Sequence, residues 1–153
     1  MPATVKPIPD GFHTITPYLI VEGAEKQIGF MKDAFGAQPA HPPTKRPDGS
    51  IMHATLKIGD SMLMLSDASQ HAKASSVMLY LYVPNVDAAY QRALKAGATS
   101  VMEPADQFYG DRSAGVKDAA GNQWFLGTHV EDVSPAELEK RAAEFFKKQG
   151  KAA

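Results

Sequence analysis

The chain has 153 residues, 44% of them hydrophobic, with 16 Lys and Arg against 17 Asp and Glu for a formal net charge of −1. That length suits one domain or two small modules sharing a core, and the even charge balance argues against a strongly basic nucleic-acid binder. There is no cysteine, which excludes disulfide frameworks, thiolate zinc sites, iron–sulfur clusters and cysteine nucleophiles.

No apolar run approaches the roughly 20 residues of a membrane span. The opening MPATVKPIPDG has no apolar stretch of the kind a secretion signal needs, so a cytoplasmic protein is expected. Three prolines in residues 1–12 predict an extended N-terminal segment. His13–Val21 is rich in β-branched and aromatic residues and predicts a strand, with Pro17 requiring a free side or a bulge. Ala24, Ile28, Met31 and Phe35 fall at helical spacing, and Gly36 suits the helix end. Gln38–Gly49, with four prolines, predicts a loop with room for a short edge strand. Ser50–Ile58 and Ser61–Ser66 read as strands joined by Gly59-Asp60, a hairpin turn. Asp67–Ser76 is a polar linker.

The pattern then restarts. Val77–Val83 predicts a strand and Val86–Ala96 a helix closed by Gly97. A short strand fits Ala98–Met102, a loop Glu103–Asp111, and two final strands Arg112–Lys117 and Asn122–His129. Ser134-Pro-Ala-Glu137 is a capping box that opens a C-terminal helix running to about Lys148, with Leu138, Ala142, Phe145 and Phe146 as its apolar stripe. Shifting the chain by about 62 residues lays Tyr18-Leu19-Ile20-Val21 on Tyr80-Leu81-Tyr82-Val83 and Met62-Leu63-Met64 on Trp124-Phe125-Leu126; Ala54 and Lys57 meet Ala114 and Lys117 at a shift of 60. Each half therefore reads as a βαβββ module, and pairing two such modules closes a core and leaves a concave surface.

With its two strand-to-helix segments (LIVEGAEKQIGFMKDAFGA and YVPNVDAAYQRALKAGA) and its closing DAAGNQWFL, the sequence resembles the vicinal oxygen chelate superfamily of glyoxalase I, bleomycin-resistance proteins and extradiol dioxygenases. PYLIV, IMHATLKIGDSMLMLSD, YGDR and THVEDVSPAE are similar to its PhnB-like branch. The resemblance implies an α+β fold in which two tandem βαβββ modules (13–68 and 77–130, within a domain of 13–130) form a curved, cup-like mixed sheet with helices outside. Residues 131–153 follow as a C-terminal helix and tail.

Metal-dependent members of that superfamily hold a divalent ion with one side chain from each of two strands per module. Those places correspond to Thr16, Leu63, Met78 and Phe125, the second pair lying 62 residues after the first. None is a good ligand for zinc, nickel, iron or manganese, so no metal and no other cofactor is expected. Strand alternation adds Tyr18, Tyr80 and Tyr82 to the same face, giving an apolar, aromatic cleft suited to a small organic molecule, unless these side chains simply pack on one another. His53 reads either as a core histidine or as a cleft-facing base. Tyr109 and Arg112 read either as a lid and an anion fork or as an ordinary loop with an Asp111–Arg112 ion pair. These three are the candidates for chemistry. The expectation is a metal-free homodimer that binds a small organic ligand and neither nucleic acid nor membrane. The alternative is a glyoxalase-like lyase or isomerase, or a dioxygenase-type enzyme, using a non-family metal or an acid/base site. An accessory subunit in a multi-protein pathway is a third reading.

Overall fold

The computed structural model describes residues 4–152. The first three positions of the expected N-terminal segment and residue 153 lie outside the described residues. The first module runs β1 (Tyr18–Val21), α1 (Ala24–Phe35), β2 (Gln38–Pro39), β3 (Thr44–Lys45), β4 (Ile51–Ile58) and β5 (Ser61–Asp67). The second runs β6 (Met78–Tyr82), α2 (Val86–Lys95), β7 (Thr99–Asp106), β8 (Asp111–Lys117) and β9 (Gln123–His129), and α3 (Pro135–Ala152) ends the chain.

Both modules use one topology. The first strand lies parallel to the last, followed by the third and second, giving the orders β1-β5-β4-β2 and β6-β9-β8-β7, with β3 also paired to β4. The expected α+β architecture is present, and its strands divide between two sheets. β1 and β6 both end their sheets, and no strand of one sheet bonds a strand of the other among the described residues. The helices tie the halves together. α1 packs on α2; Phe35 and Phe30 of α1 reach Trp124 of β9 at ring separations of 5.0 and 6.4 Å. Gln27 donates to Asp118 across the junction at 2.7 Å.

Alternation on the strands explains the core. Leu19, Val21, Ala54, Leu56, Leu63 and Leu65 of the first sheet face the helices, as do Ala114, Val116, Trp124 and Leu126 of the second, and all are buried. The helices meet them with Ala24, Ile28, Met31 and Ala34 and with Val86, Ala89, Tyr90 and Ala93. Gly36 closes α1 in the left-handed region at φ 66°, its N–H bonded to Lys32, a conformation glycine adopts without strain.

Several boundaries differ from the sequence expectation. The first strand begins at Tyr18 rather than His13: Ile15 is 85% exposed, and only the Pro17 carbonyl is recruited, by the Met64 N–H. β7 runs on to Asp106 through Pro104; it is the outermost strand of its sheet, with register shifts, where a missing N–H is tolerated. The capping box is half made. Ser134 Oγ accepts from the Glu137 N–H at 3.2 Å, but the Glu137 carboxylate turns to Arg141 instead of the helix start.

The repeat also changes phase. Tyr18 pairs Met64 while Tyr80 pairs Phe125, and Thr55 pairs Met64 while Gly115 pairs Phe125. β1 thus maps to β6 at 62 residues, β4 to β8 at 60 and β5 to β9 at 61. The connection of the second hairpin is one residue longer than Gly59-Asp60. A one-residue slip moves a strand residue to the opposite face. The structural mate of Phe125 is therefore Met64. Leu63 points at the helices, 5% exposed, rather than onto the face where the even spacing put it.

Candidate functional site

The open face of the second sheet, away from the helices, carries Met78, Tyr80 and Tyr82 from β6, Gln123, Phe125 and Gly127 from β9, and Asp111, Ser113 and Gly115 from β8. The small residues make room for the large ones. A Cβ at Gly127 would run into the Tyr80 phenol, and one at Gly115 into the Phe125 ring. These rings therefore lie across the glycines. Tyr80 and Tyr82 are 5.1 Å apart with planes tilted by 56°, and they remain 40% and 67% exposed.

Beneath them sits a carboxylate that the sequence offered only as an ion-pair partner for Arg112. Asp111 is 4% exposed. Its Oδ2 accepts from Tyr80 at 3.0 Å and from Tyr82 at 2.9 Å, and its Oδ1 meets His129 Nδ1 at 2.9 Å. The other ring nitrogen of His129 meets Asp132 at 2.8 Å. Burial works to raise the Asp111 pKa, but the hydrogen bonds from His129, Tyr82 and Tyr80 outweigh it and hold the carboxyl below its ordinary value. The bonds to Asp132 and Asp111 raise His129. Burial, then the Asp111 bond and charge, push Tyr80 well up; the Asp111 bond does the same to Tyr82. At neutral pH the group is an ionised carboxylate beneath two un-ionised phenols, beside an imidazole whose protonated form the two aspartates favour.

A cavity of about 870 Å³ opens along the edge of β6 on the helix side of the second sheet, against α2. Its walls include Phe35, Leu63, Leu79, Leu81 and Trp124, with Ile15 and Met62 nearby and His13, Asp60 and Arg92 as polar borders. Every residue from Leu79 to Val83 borders it, so it meets β6 along its edge. Val77 and Val83 bond β9, so by alternation the backbone groups of Met78, Tyr80 and Tyr82 point away from β9, and β9 is the only strand paired with β6 among the described residues.

A sequence model of the glyoxalase/bleomycin resistance protein/dioxygenase superfamily matches residues 11–126. The chain belongs to this superfamily. It is 36% identical over 136 residues to an uncharacterised protein of Mycobacterium bovis, covering 82% of this chain and 89% of that one. A Mycobacterium tuberculosis protein, also described as uncharacterised, matches at the same identity, with 82% and 79% covered. Among solved structures, TioX from Micromonospora sp. ML1 superposes with a TM-score of 0.65 at 22% identity, covering 77% of this chain and 99% of that one. A superfamily member from Sphaerobacter thermophilus gives 0.62 at 20% identity, with 76% and 96% covered. These structures share the fold.

The superfamily's metal positions do not suit a metal here. Met78 and Phe125 stand on the open face of the second sheet, but neither offers an oxygen or imidazole donor. Thr16 precedes β1 and its hydroxyl donates to the His13 carbonyl at 3.2 Å. Leu63 faces the helices, and the Met64 that replaces it on the open face is a thioether. No cluster of three or more His, Asp or Glu side chains placed to hold an ion occurs among the described residues.

The other sequence candidates are dispersed. Tyr18 lies on the open face of the first sheet, its hydroxyl 3.3 Å from His53 Nδ1. His53 Nε2 meets Thr55 Oγ1 at 3.0 Å, and the His41 ring stacks on it. His53 is thus held by hydroxyls, without a carboxylate partner. Tyr109 sits in the turn before β8, edge-on to Phe108. Arg112 points to the opposite side from Asp111 and forks onto Asp87 at 2.8 and 2.9 Å, with Asp106 at 3.4 Å. It is spent on these two carboxylates rather than open to a ligand anion, and its expected partner Asp111 is engaged elsewhere. Of the expected ligand-binding residues, Leu63, Tyr80 and Tyr82 border the cavity, Met78 and Phe125 share the open face with the tyrosines, and Thr16 and Tyr18 belong to the first module. Sequence reasoning missed the joining of Asp111, His129 and Asp132 into one group. The visible signal was that His129 and Phe125 share strand parity.

Proposed function

We propose that this chain is a PhnB-like, metal-free binding member of the superfamily that holds a small organic molecule on the aromatic face of its second sheet. The observation that carries this reading is the Tyr80–Tyr82–Phe125 surface on the open face; Tyr80 and Tyr82 also border, across the edge of β6, an apolar cavity of about 870 Å³, within the size range of small-molecule sites. The side chains at the superfamily's metal positions support a site that works by packing rather than by coordination. A cytoplasmic homodimer completes the proposal. It is supported by the unpartnered edge of β6 and by the exposed side chains Ile15, Met78 and Tyr82, because open strand edges and exposed apolar patches favour association.

The test is a thermal-shift and calorimetric screen of small aromatic compounds against the wild type, Tyr80→Ala and Phe125→Ala. Binding by the wild type that weakens at least about tenfold in both variants is expected. Unchanged binding in the variants rejects the site. Stoichiometric nickel, zinc, iron or manganese, lost on chelation together with an activity, rejects the metal-free reading. A monomeric mass at micromolar concentration rejects the dimer.

A further inference from the structure

We infer that the Tyr80–Tyr82 pair above Asp111 selects ligands carrying a protonated amine, whose apolar body rests on Phe125 and Met78. The inference rests on the binding role proposed above and assigns that role a ligand class. It starts from the direction of two hydrogen bonds. Both phenol hydrogens are aimed at Asp111 Oδ2, at 3.0 and 2.9 Å. A phenol has one hydrogen to give and acceptor lone pairs besides. With both hydrogens committed, the two phenol oxygens can meet a ligand only as acceptors. A ligand group that fits there must be a donor.

Charge narrows the donor to a cation. The group holds two carboxylates, Asp111 and Asp132, against one imidazole, His129, which leaves it net negative whether or not the ring carries a proton. The tilted ring pair offers π-faces to a positive group. The cations that would serve an anionic ligand are not beside this group: Arg92 borders the cavity from α2, on the helix side of the sheet. Arg112 is on the other side of the sheet, bound by Asp87 and Asp106. Lys117 shares the open face but lies at the far end of β8, roughly 20 Å from Asp111 at strand rise.

The same chain of groups could instead be taken for a proton relay ending in a tyrosine acid. The chemistry disfavours this. A carboxylate accepting from a phenol holds the phenol's proton in place, and the Tyr80 pKa is displaced upward, away from the neutral range where a general acid works. The arrangement therefore recognises a donor better than it supplies a proton.

Phenethylamine, 2-phenylethanol and 3-phenylpropionate share one aromatic body and differ in charge. Titrated calorimetrically into the full-length protein near pH 7, the amine should bind about tenfold more tightly than the alcohol, with the acid weakest. Tyr82→Phe keeps the exposed ring and removes an acceptor; it should cut the amine's advantage to about threefold or less. Asp111→Asn should do the same if it folds, and Tyr82→Phe carries the test if it does not. Equal binding of all three compounds, still weakened by Phe125→Ala, overturns the charge preference and leaves the proposed site standing. An amine advantage that survives Tyr82→Phe intact also overturns it. Failure of all three compounds to bind overturns both this inference and the aromatic site it rests on.

Discussion

The junction between the two halves offers a sharp test of how this fold holds together. Asp118, 6% exposed, accepts four hydrogen bonds: Oδ1 from the Ala120 and Asn122 N–H groups, both at 2.9 Å, and Oδ2 from Gln27 Nε2 at 2.7 Å and Trp124 Nε1 at 2.8 Å. Asp118→Ala removes every acceptor. The two backbone donors sit in a turn, and water can take over part of that loss. The side-chain donors cannot be served so easily, because Gln27 is 4% exposed and Trp124 0%. A hydrogen bond to a charged group contributes about 1.5–3 kcal/mol, and a stranded buried donor costs a similar amount. Two such losses, with some relaxation, put the cost at about 3–5 kcal/mol. For a chain of this size that lowers Tm by roughly 10 °C. The assay is urea and thermal unfolding followed by circular dichroism and by fluorescence, which here reports from a single tryptophan, Trp124. Asp118→Asn retains one acceptor and should fall between the variant and the wild type. Trp124→Phe combined with Asp118→Ala should be non-additive, with a coupling of about 1 kcal/mol or more. A loss under about 1 kcal/mol in Asp118→Ala would refute the argument that this carboxylate clamps α1 to the second sheet.

Gly127→Ala places a methyl group against the Tyr80 hydroxyl. It should cost about 1–3 kcal/mol in chemical denaturation and weaken ligand binding on the aromatic face, because the ring must move off its seat. The Asp111–His129 pair predicts a pH window. His129 is raised when folded, so its contribution is present below its unfolded pKa and fades as pH rises through the folded value; Asp111 is lowered, so its contribution is present above its unfolded pKa and fades as pH falls through the folded value. The Tm difference between wild type and His129→Gln should be largest near about pH 5–6 and shrink above neutrality; a difference that grows from pH 6 to pH 9 contradicts the pairing. Arg112→Ala removes a half-exposed ion pair. It should leave stability and ligand affinity nearly unchanged, and a large loss of binding would mean that the guanidinium reaches the ligand after all.

The two βαβββ modules were legible because their signals are local. Helical spacing in α1 and α2, Gly36 after the first helix, and a two-residue turn at Gly59-Asp60 each depend on neighbours a few residues apart. The first strand was overextended because β propensity at His13–Thr16 says nothing about whether a partner strand lies alongside. β7 was cut short for the opposite reason: Pro104 looks like a terminator until the strand is known to sit at a sheet edge.

By itself the amino-acid order determined the repeat, the superfamily resemblance and the apolar character of the positions where relatives hold a metal. Only the tertiary structure decided which residues share a face and meet. One extra residue in the second hairpin raises the offset between the halves from 60 to 61, one short of the 62 that relates the first strands, so Leu63 turns toward the helices and Met64 to the open side. The Asp111 group likewise joins residues from β6, β8, β9 and the segment after it. Hydrogen-bond partners 18 to 31 positions apart are chosen by strand register, which is set by pairing and turn length over the whole sheet rather than by any local pattern.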